Sequence, residues 1–415
     1  MVSRPLSVLL SVLAFAGVLG CKGNGGVTGA GGTTGTTGTA GATGTGGNIS
    51  EDGAVAFSRA ELLGAFGTCA ANQVRDFRAK ATALDVAVSA YAATPDATTR
   101  DAARQAFKDA LDTWQVLDPI QFGPTASVVE PGGKGFRGDI YNWPNVDRCP
   151  IEQNIVSRAY ESVGTVVPRD RGLGALEYLL FYEGVDTVCT GLAGWTTLSA
   201  DEVNARKRAY AVAVAGDVLA RATALDAAWD PAQMNFVETI RSAGSGNAVY
   251  PTQQLALQSV GLSIFFLDRM VKDKKLGIPL GLDPVAATCT VASPPANCFE
   301  SPYAGRSKAN LRANLDGVRR IAEGCEAGNA GLGFDDLLEN VGATDAAGRL
   351  RAALAAADAA LAAIGEPDLP EALPADRASV QALRDAIGAI TTFLKTEMYT
   401  LLGFEESVIP TDTDS

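Results

Sequence analysis

The feature that most constrains the fold of this chain is the helical period of its apolar residues. Leu383, Ile387, Ile390, Leu394 and Met398 recur at spacings of four and three, which puts them on one helical face. Val218, Ala222, Leu225 and Trp229 repeat the pattern upstream, and Leu350, Leu354, Leu361 and Ile364 form a third stripe closed by Gly365 and Pro367. Ser199, with Glu202 three residues later, reads as a capping box in front of the middle helix. Ala, Leu, Asp, Arg and Glu dominate, and alternating β-branched residues are scarce. Each stripe reads as core rather than as a cofactor site. Long periodic helices with short connections predict an all-α fold of antiparallel bundles.

Two stretches interrupt the helices. Residues 118–150 hold Pro119, Pro124, Pro131, Pro144, Pro150 and five glycines, but also Phe122, Phe136, Tyr141 and Trp143. So much aromatic mass argues for a packed segment against a cleft rather than a disordered one. The second break is 276–305. Together they predict two helical-bundle lobes, residues 54–195 and 199–408.

The first residues read as a targeting device and not as part of the fold. Arg4 supplies a positive start, Leu6–Val18 is apolar, and Val18-Leu19-Gly20-Cys21 resembles a bacterial lipobox. Residues 1–20 are then a signal peptide and Cys21 the lipidated terminus. Plain secretion with cleavage near Gly20 is the alternative. Lys22 rather than Asp after the cysteine favours the outer membrane, facing either the periplasm or the cell surface. Residues 21–50 are a Gly/Thr-rich linker that cannot bury a core. Its root-mean-square span is roughly 30 Å. No later apolar run reaches the roughly 18 uncharged residues of a transmembrane helix.

A net charge of −13 without a basic aromatic stripe argues against nucleic acid as a partner. Six cysteines follow Cys21, an even number in an exported chain, and imply disulfides. Cys289 and Cys298 flank a short Pro-rich loop and are expected to pair. Cys149–Cys189 and Cys69–Cys325 are the preferred split of the other four, which spacing alone leaves open. No C-x-x-C pair supports a metal-thiolate cluster.

The chain contains no histidine. This excludes a Ser-His-Asp triad, a Cys-His pair and H-E-x-x-H zinc chemistry. Ser307 and Lys308 are neighbours on different faces of a helix and make no catalytic pair. No P-loop and no strand-flanked G-x-G-x-x-G occurs. No catalytic residue is expected.

Gly172–Phe181 resembles the signature segment of the imelysin-like family, bacterial envelope proteins also classed as M75 peptidases. The family motif is G-x-H-x-x-E. Gly172 and Glu177 stand at its first and last positions, and Gly174 replaces the histidine. Further likenesses run in order along residues 54–415. They are Trp114 with Gln121-Phe122-Gly123-Pro124, Ile140-Tyr141-Asn142-Trp143-Pro144, and Lys275–Gly281. Glu300-Ser301-Pro302-Tyr303 with Arg306-Ser307, Asn310–Leu315, and the acidic Thr411–Asp414 complete the set.

The resemblance implies an all-α fold of two helical-bundle lobes with a metal or catalytic site between them, and a link to iron uptake. His and Glu three apart on a helix would share one ion. With only Glu177 left, a surviving site would need oxygen ligands and suit iron, Ca, Mg or Mn. Asp118, Glu130, Asp139 and Glu300 are the candidate ligands. Trp114, Arg137, Trp143 and Ser307 are expected at the pocket or its loop. In the alternative, Glu177 is a buried carboxylate satisfied by Arg171 or Arg137. The expected function is a non-catalytic binding or accessory lipoprotein of the envelope, linked to iron or other metal uptake. Its partners would be the membrane through the lipid, and a metal ion or an envelope protein. An M75-type metallopeptidase with an altered site and a protein-interaction module built around Trp143 are the alternatives.

Overall fold

The computed structural model describes residues 57–283, 289 and 294–405. The signal peptide, Cys21, the linker of residues 21–50 and Thr411–Asp414 lie outside these residues. The described residues contain no strand. Their helices in chain order are α1 (Arg59–Ala93), α2 (Ala97–Leu117), α3 (Phe136–Ile140), α4 (Arg148–Ser157) and α5 (Gly172–Phe181). Next come α6 (Ala200–Trp229), α7 (Phe236–Arg241), α8 (Gln253–Ser263) and α9 (Ser307–Ala322). The last are α10 (Phe334–Asn340), α11 (Thr344–Ala363), α12 (Leu369–Ala375), α13 (Arg377–Phe393) and α14 (Tyr399–Leu402). Two π-helical segments, Leu267–Leu276 and Leu394–Met398, follow α8 and α13. None of the described helices is long and apolar enough to cross a membrane.

Local chemistry sets several ends. Ser199 and Glu202 form the expected capping box at α6, and Asp96 with Thr99 forms another at α2. The stripe on α13 is buried at Leu383, Ile387 and Ile390 and continues through Leu394 and Met398. Its last turn is π rather than α.

Helix α1 runs between α2 and α6, with α5 also against α6. On the other side α9, α11, α13 and the first π segment pack together, and α2 joins the two groups by lying against α9. The expected lobe boundary near residues 195–199 falls between α5 and α6, two helices that pack on each other. The described residues form one compact unit. The Cys69–Cys325 disulfide ties α1 to the chain just after α9. Cys149–Cys189 and Cys289–Cys298 complete the expected pairing.

The 118–150 segment is packed, as its aromatics predict. Phe122, Tyr141 and Trp143 are buried, and the Trp143–Pro144 bond is cis. This segment carries the chain from α2 to α4 and lays Tyr141 and Trp143 beside α5.

Candidate functional site

Helix α5 places the site, and its sequence explains how. Gly172 opens it at φ +77°, and a Cβ there would lie 2.5 Å from the Ile140 carbonyl oxygen. Only glycine tolerates both the left-handed backbone and that approach. Nearly every later residue of α5 is apolar and buried, so the helix is enclosed on all sides. Glu177 is therefore a carboxylate inside a core.

It is satisfied by backbone. Glu177 Oε1 accepts hydrogen bonds from the Tyr303 N–H at 2.8 Å and the Ala304 N–H at 2.9 Å, and the Ser301 hydroxyl also bonds to the carboxyl. Burial pushes its pKa up from 4.5 to about 7; the backbone donors and Ser301 oppose the rise, and the nearby Glu300 charge reinforces it. Neither expected arginine reaches it. Arg171 pairs with Asp139 at 2.8 Å and Asp217 at 3.3 Å, and Arg137 pairs with Asp118 at 2.7 Å. The reading of Glu177 as half of an ion pair is corrected on this point. A loop, rather than a cation, holds it.

The loop is itself locked from the other side. Glu300 Oε1 accepts from the Tyr141 hydroxyl at 2.7 Å and Gln115 Nε2 at 3.0 Å, and lies 2.9 Å from Lys275 Nζ. Lys275 also donates to Gln115 Oε1 and Asn314 Oδ1. Both charged side chains are 1% exposed. Ser307 caps the arrangement by donating to the Glu300 carbonyl.

Between α4, α5 and this loop lies a cavity of about 710 Å³. Tyr141, Trp143, Tyr178, Phe299 and Tyr303 make its aromatic walls, and Glu177, Ser301, Asn297 and Arg148 contribute polar groups. Arg148 lies 3.9 Å from the Tyr182 ring centre, donates to Asp186 and pairs with the buried Glu152. Lys207 sits beneath Tyr178 and Tyr182, 4.8 and 4.9 Å from their ring centres, and donates to the carbonyls of Tyr182 and Gly184. Burial pulls its pKa down to about 8.

Gly174 lines this cavity at the motif's histidine position. A Cβ there would lie 2.4 Å from Val146 Cγ2. The isopropyl group of Val146 occupies the space into which any side chain at 174 must start.

The structure separates most of the other site candidates. Asp118 is sealed under Arg137, Asp139 is shared between Arg171 and Arg221, and Glu130 is exposed on a turn. Only Glu300 comes near enough to affect Glu177. Among the described residues no three His, Cys, Asp or Glu side chains converge as a metal site would need. With Glu177 held by amides and Glu300 by a lysine, the residues present do not fit a protein-ligated ion. Trp143 lines the cavity as expected, whereas Trp114 is core against Phe77, and Arg137 and Ser307 support other contacts. Sequence reasoning missed Val146, Arg148, Glu152, Tyr178 and Lys207. Only the Tyr178/Tyr182 pair at i, i+4 next to Glu177 offered a signal.

A family model described as imelysin, peptidase M75, matches residues 70–396. The chain belongs to the imelysin family. It is 27% identical over 327 residues to iron-regulated protein A of Synechococcus elongatus, covering 78% of this chain and 81% of that one. Solved structures show the same fold. One is a Parabacteroides distasonis protein provisionally named an iron-regulated protein A precursor, with TM-score 0.65, 16% identity, and coverage of 83% of this chain and 95% of that chain. An imelysin-like protein from Psychrobacter arcticum superposes with TM-score 0.57 at 17% identity, over 85% of this chain and 99% of that one.

Proposed function

We propose that this imelysin is an iron-linked accessory protein of the bacterial envelope, anchored through Cys21, that binds its ligand without cleaving it. The observation that carries this reading is the filled histidine position. Val146 packs where a side chain at 174 would begin, and Glu177 is already bonded to two amides. Position 174 offers no side chain to share an ion or a proton with Glu177, and both amides hold Glu177 through Oε1. The name of the Synechococcus relative supports the iron connection. The cavity's size and aromatic walls suit an organic molecule or a metal held in an organic complex better than a bare ion.

The test uses full-length protein and the fluorescence of Trp143, with Trp143→Phe as control. Ferric ion alone and ferric citrate are the two probes, and a peptide library is incubated in parallel. Saturable quenching by the complex, absent in Trp143→Phe, with no peptide cleaved, supports the reading. Chelator-sensitive cleavage overturns its non-catalytic part. Stoichiometric binding of the bare ion that is lost in Glu177→Gln overturns the choice of ligand.

A further inference from the structure

Beside the aromatic cavity the fold lays its own cations on rings. Arg148 lies 3.9 Å from the Tyr182 ring centre and 5.2 Å from that of Tyr178, and Lys207 lies within 4.9 Å of both. Neither cation is left over for a ligand. Arg148 pairs with Glu152 and, at 2.9 Å, with Asp186, and Lys207 donates to the carbonyls of Tyr182 and Gly184. The rings of Trp143 and Phe299 line the same cavity, and among the described residues no cation and no second ring lies against either. Half-buried Tyr303 completes this unoccupied part of the wall.

The carboxylates are less fully spent. Both clamping amides take Glu177 Oε1, which leaves Oε2 as the oxygen available to a ligand. Asp147, exposed on the lining, accepts the Cys149 N–H at 3.0 Å and makes no ion pair among the described residues. With Glu152 and Asp186 included, carboxylates outnumber Arg148 and Lys207 around the cavity even when Glu177 holds its proton. The neighbouring charges cancel in pairs, Glu300 with Lys275 and Asp170 with Arg169. A chain of net charge −13 adds a long-range field of the same sign. The cavity therefore attracts cations. Yet among the described residues no three carboxylates converge to replace the water shell of a metal ion.

We propose that the aromatic cavity recognises an organic ammonium group, held against the rings of Trp143, Phe299 and Tyr303 with Glu177 and Asp147 as its counter-charges. The ligand-binding reading above is the premise; what is added is the part of the ligand that the walls select. An organic ammonium spreads its charge over adjacent carbons, and ring faces attract it through their quadrupole. One carboxylate oxygen balances it without the converging ligands that a metal requires. Iron would enter as a chelate whose organic part carries a protonated amine, not as the bare ion. Ser301, Glu300, Tyr141 and Tyr303 face Glu177, and none of these is a cation that already favours its charge. A bound ammonium supplies that cation, so binding expels the proton that burial lets Glu177 keep.

The test is calorimetric and uses full-length protein at a pH near the Glu177 pKa of about 7. Two pairs of probes differ by a single charge. Choline is compared with its uncharged tert-butyl analogue, and ferrioxamine B, a ferric trihydroxamate with a free amine, with its N-acetyl form. The expected result is saturable binding in which the charged member of each pair is favoured about tenfold. Glu177→Gln removes most of that preference without weakening the uncharged members. Binding to wild type releases protons, read from the heat in buffers of different ionisation enthalpy, and binding to Glu177→Gln does not. Equal affinity within both pairs, or a preference that survives intact in both Glu177→Gln and Asp147→Asn, overturns the ammonium assignment while the ligand-binding reading stands. Choline preferred over its analogue, with neither ferric complex bound, upholds the assignment and overturns the iron link. No binding by any probe overturns the assignment. Should Glu177→Gln fail to fold, Asp147→Asn, which keeps a capping side chain on α4, and Trp143→Leu, which loses the ring face, carry the same comparison.

Discussion

Glu177→Gln is expected to stabilise the protein at alkaline pH, against the usual outcome of mutating a buried, hydrogen-bonded residue. Burial raises the Glu177 pKa from 4.5 to about 7 in the folded state. Between those values the folded chain holds a proton that the unfolded chain has released, so stability falls as pH rises through this window. At about 1.4 kcal/mol per pH unit, the displacement amounts to about 3 kcal/mol, lost between pH 4.5 and 7 and constant above. Glutamine mimics the protonated acid, and its carbonyl can still accept from the Tyr303 and Ala304 amides. The variant should match wild type near pH 4.5 and exceed it by about 2–3 kcal/mol at pH 8. Urea unfolding of both proteins across pH 4.5–8 measures this, because the difference cancels every other titrating group. If Glu177→Gln were less stable at pH 8, or if the difference did not change with pH, an unseen cation would have to be holding the carboxylate. The clamp account would then be wrong.

Two more perturbations probe the walls around it. Gly174→Ala gains up to about 1 kcal/mol of helix propensity but drives a methyl into Val146 at 2.4 Å, an overpacking cost of about 1–3 kcal/mol. A net loss is expected, turning to a gain in a Val146→Ala background. Calorimetry of the four proteins should show coupling of at least about 1 kcal/mol, and additivity would refute the contact. Lys275→Met leaves Glu300 charged, buried and with Oε2 lacking any hydrogen-bond partner, and should cost about 3–5 kcal/mol in chemical denaturation. Adding Glu300→Gln should recover most of that, and no recovery would show that Lys275 acts by packing alone.

The helices were legible because a helix states its buried face every three or four residues. The α13 stripe from Leu383 to Met398 and the Ser199–Glu202 cap needed no tertiary information. The packed 118–150 segment was legible through its aromatics, which have nowhere to go but inward. What a helix does not state is its neighbour. Nothing in the stripe of α6 says that it lies on α1. The same blindness affected the charges. Arg137 and Arg171 were visible as cations and Glu177, Asp118 and Asp139 as anions, but composition does not assign pairs. Glu177 chose backbone amides 126 and 127 residues away, donors that every non-proline residue carries and no sequence pattern marks.

That choice changes what the signature segment means here. Gly172 is required by a left-handed backbone pressed against the Ile140 carbonyl, and Glu177 by two amides that would otherwise be buried without an acceptor. Both positions thus have structural reasons that operate without any ligand. The histidine position has no such second duty, since α5 would form with any residue there that fits beside its neighbours. Gly174 and Val146 fit one another, and the flanking Gly172 and Glu177 are fixed by folding. Persistence of two motif residues therefore says nothing for retained chemistry. In the proposed reading, the residues that discriminate between ligands are those facing the open space, Trp143 and Tyr303, and it is their substitution that should alter binding while leaving the fold intact.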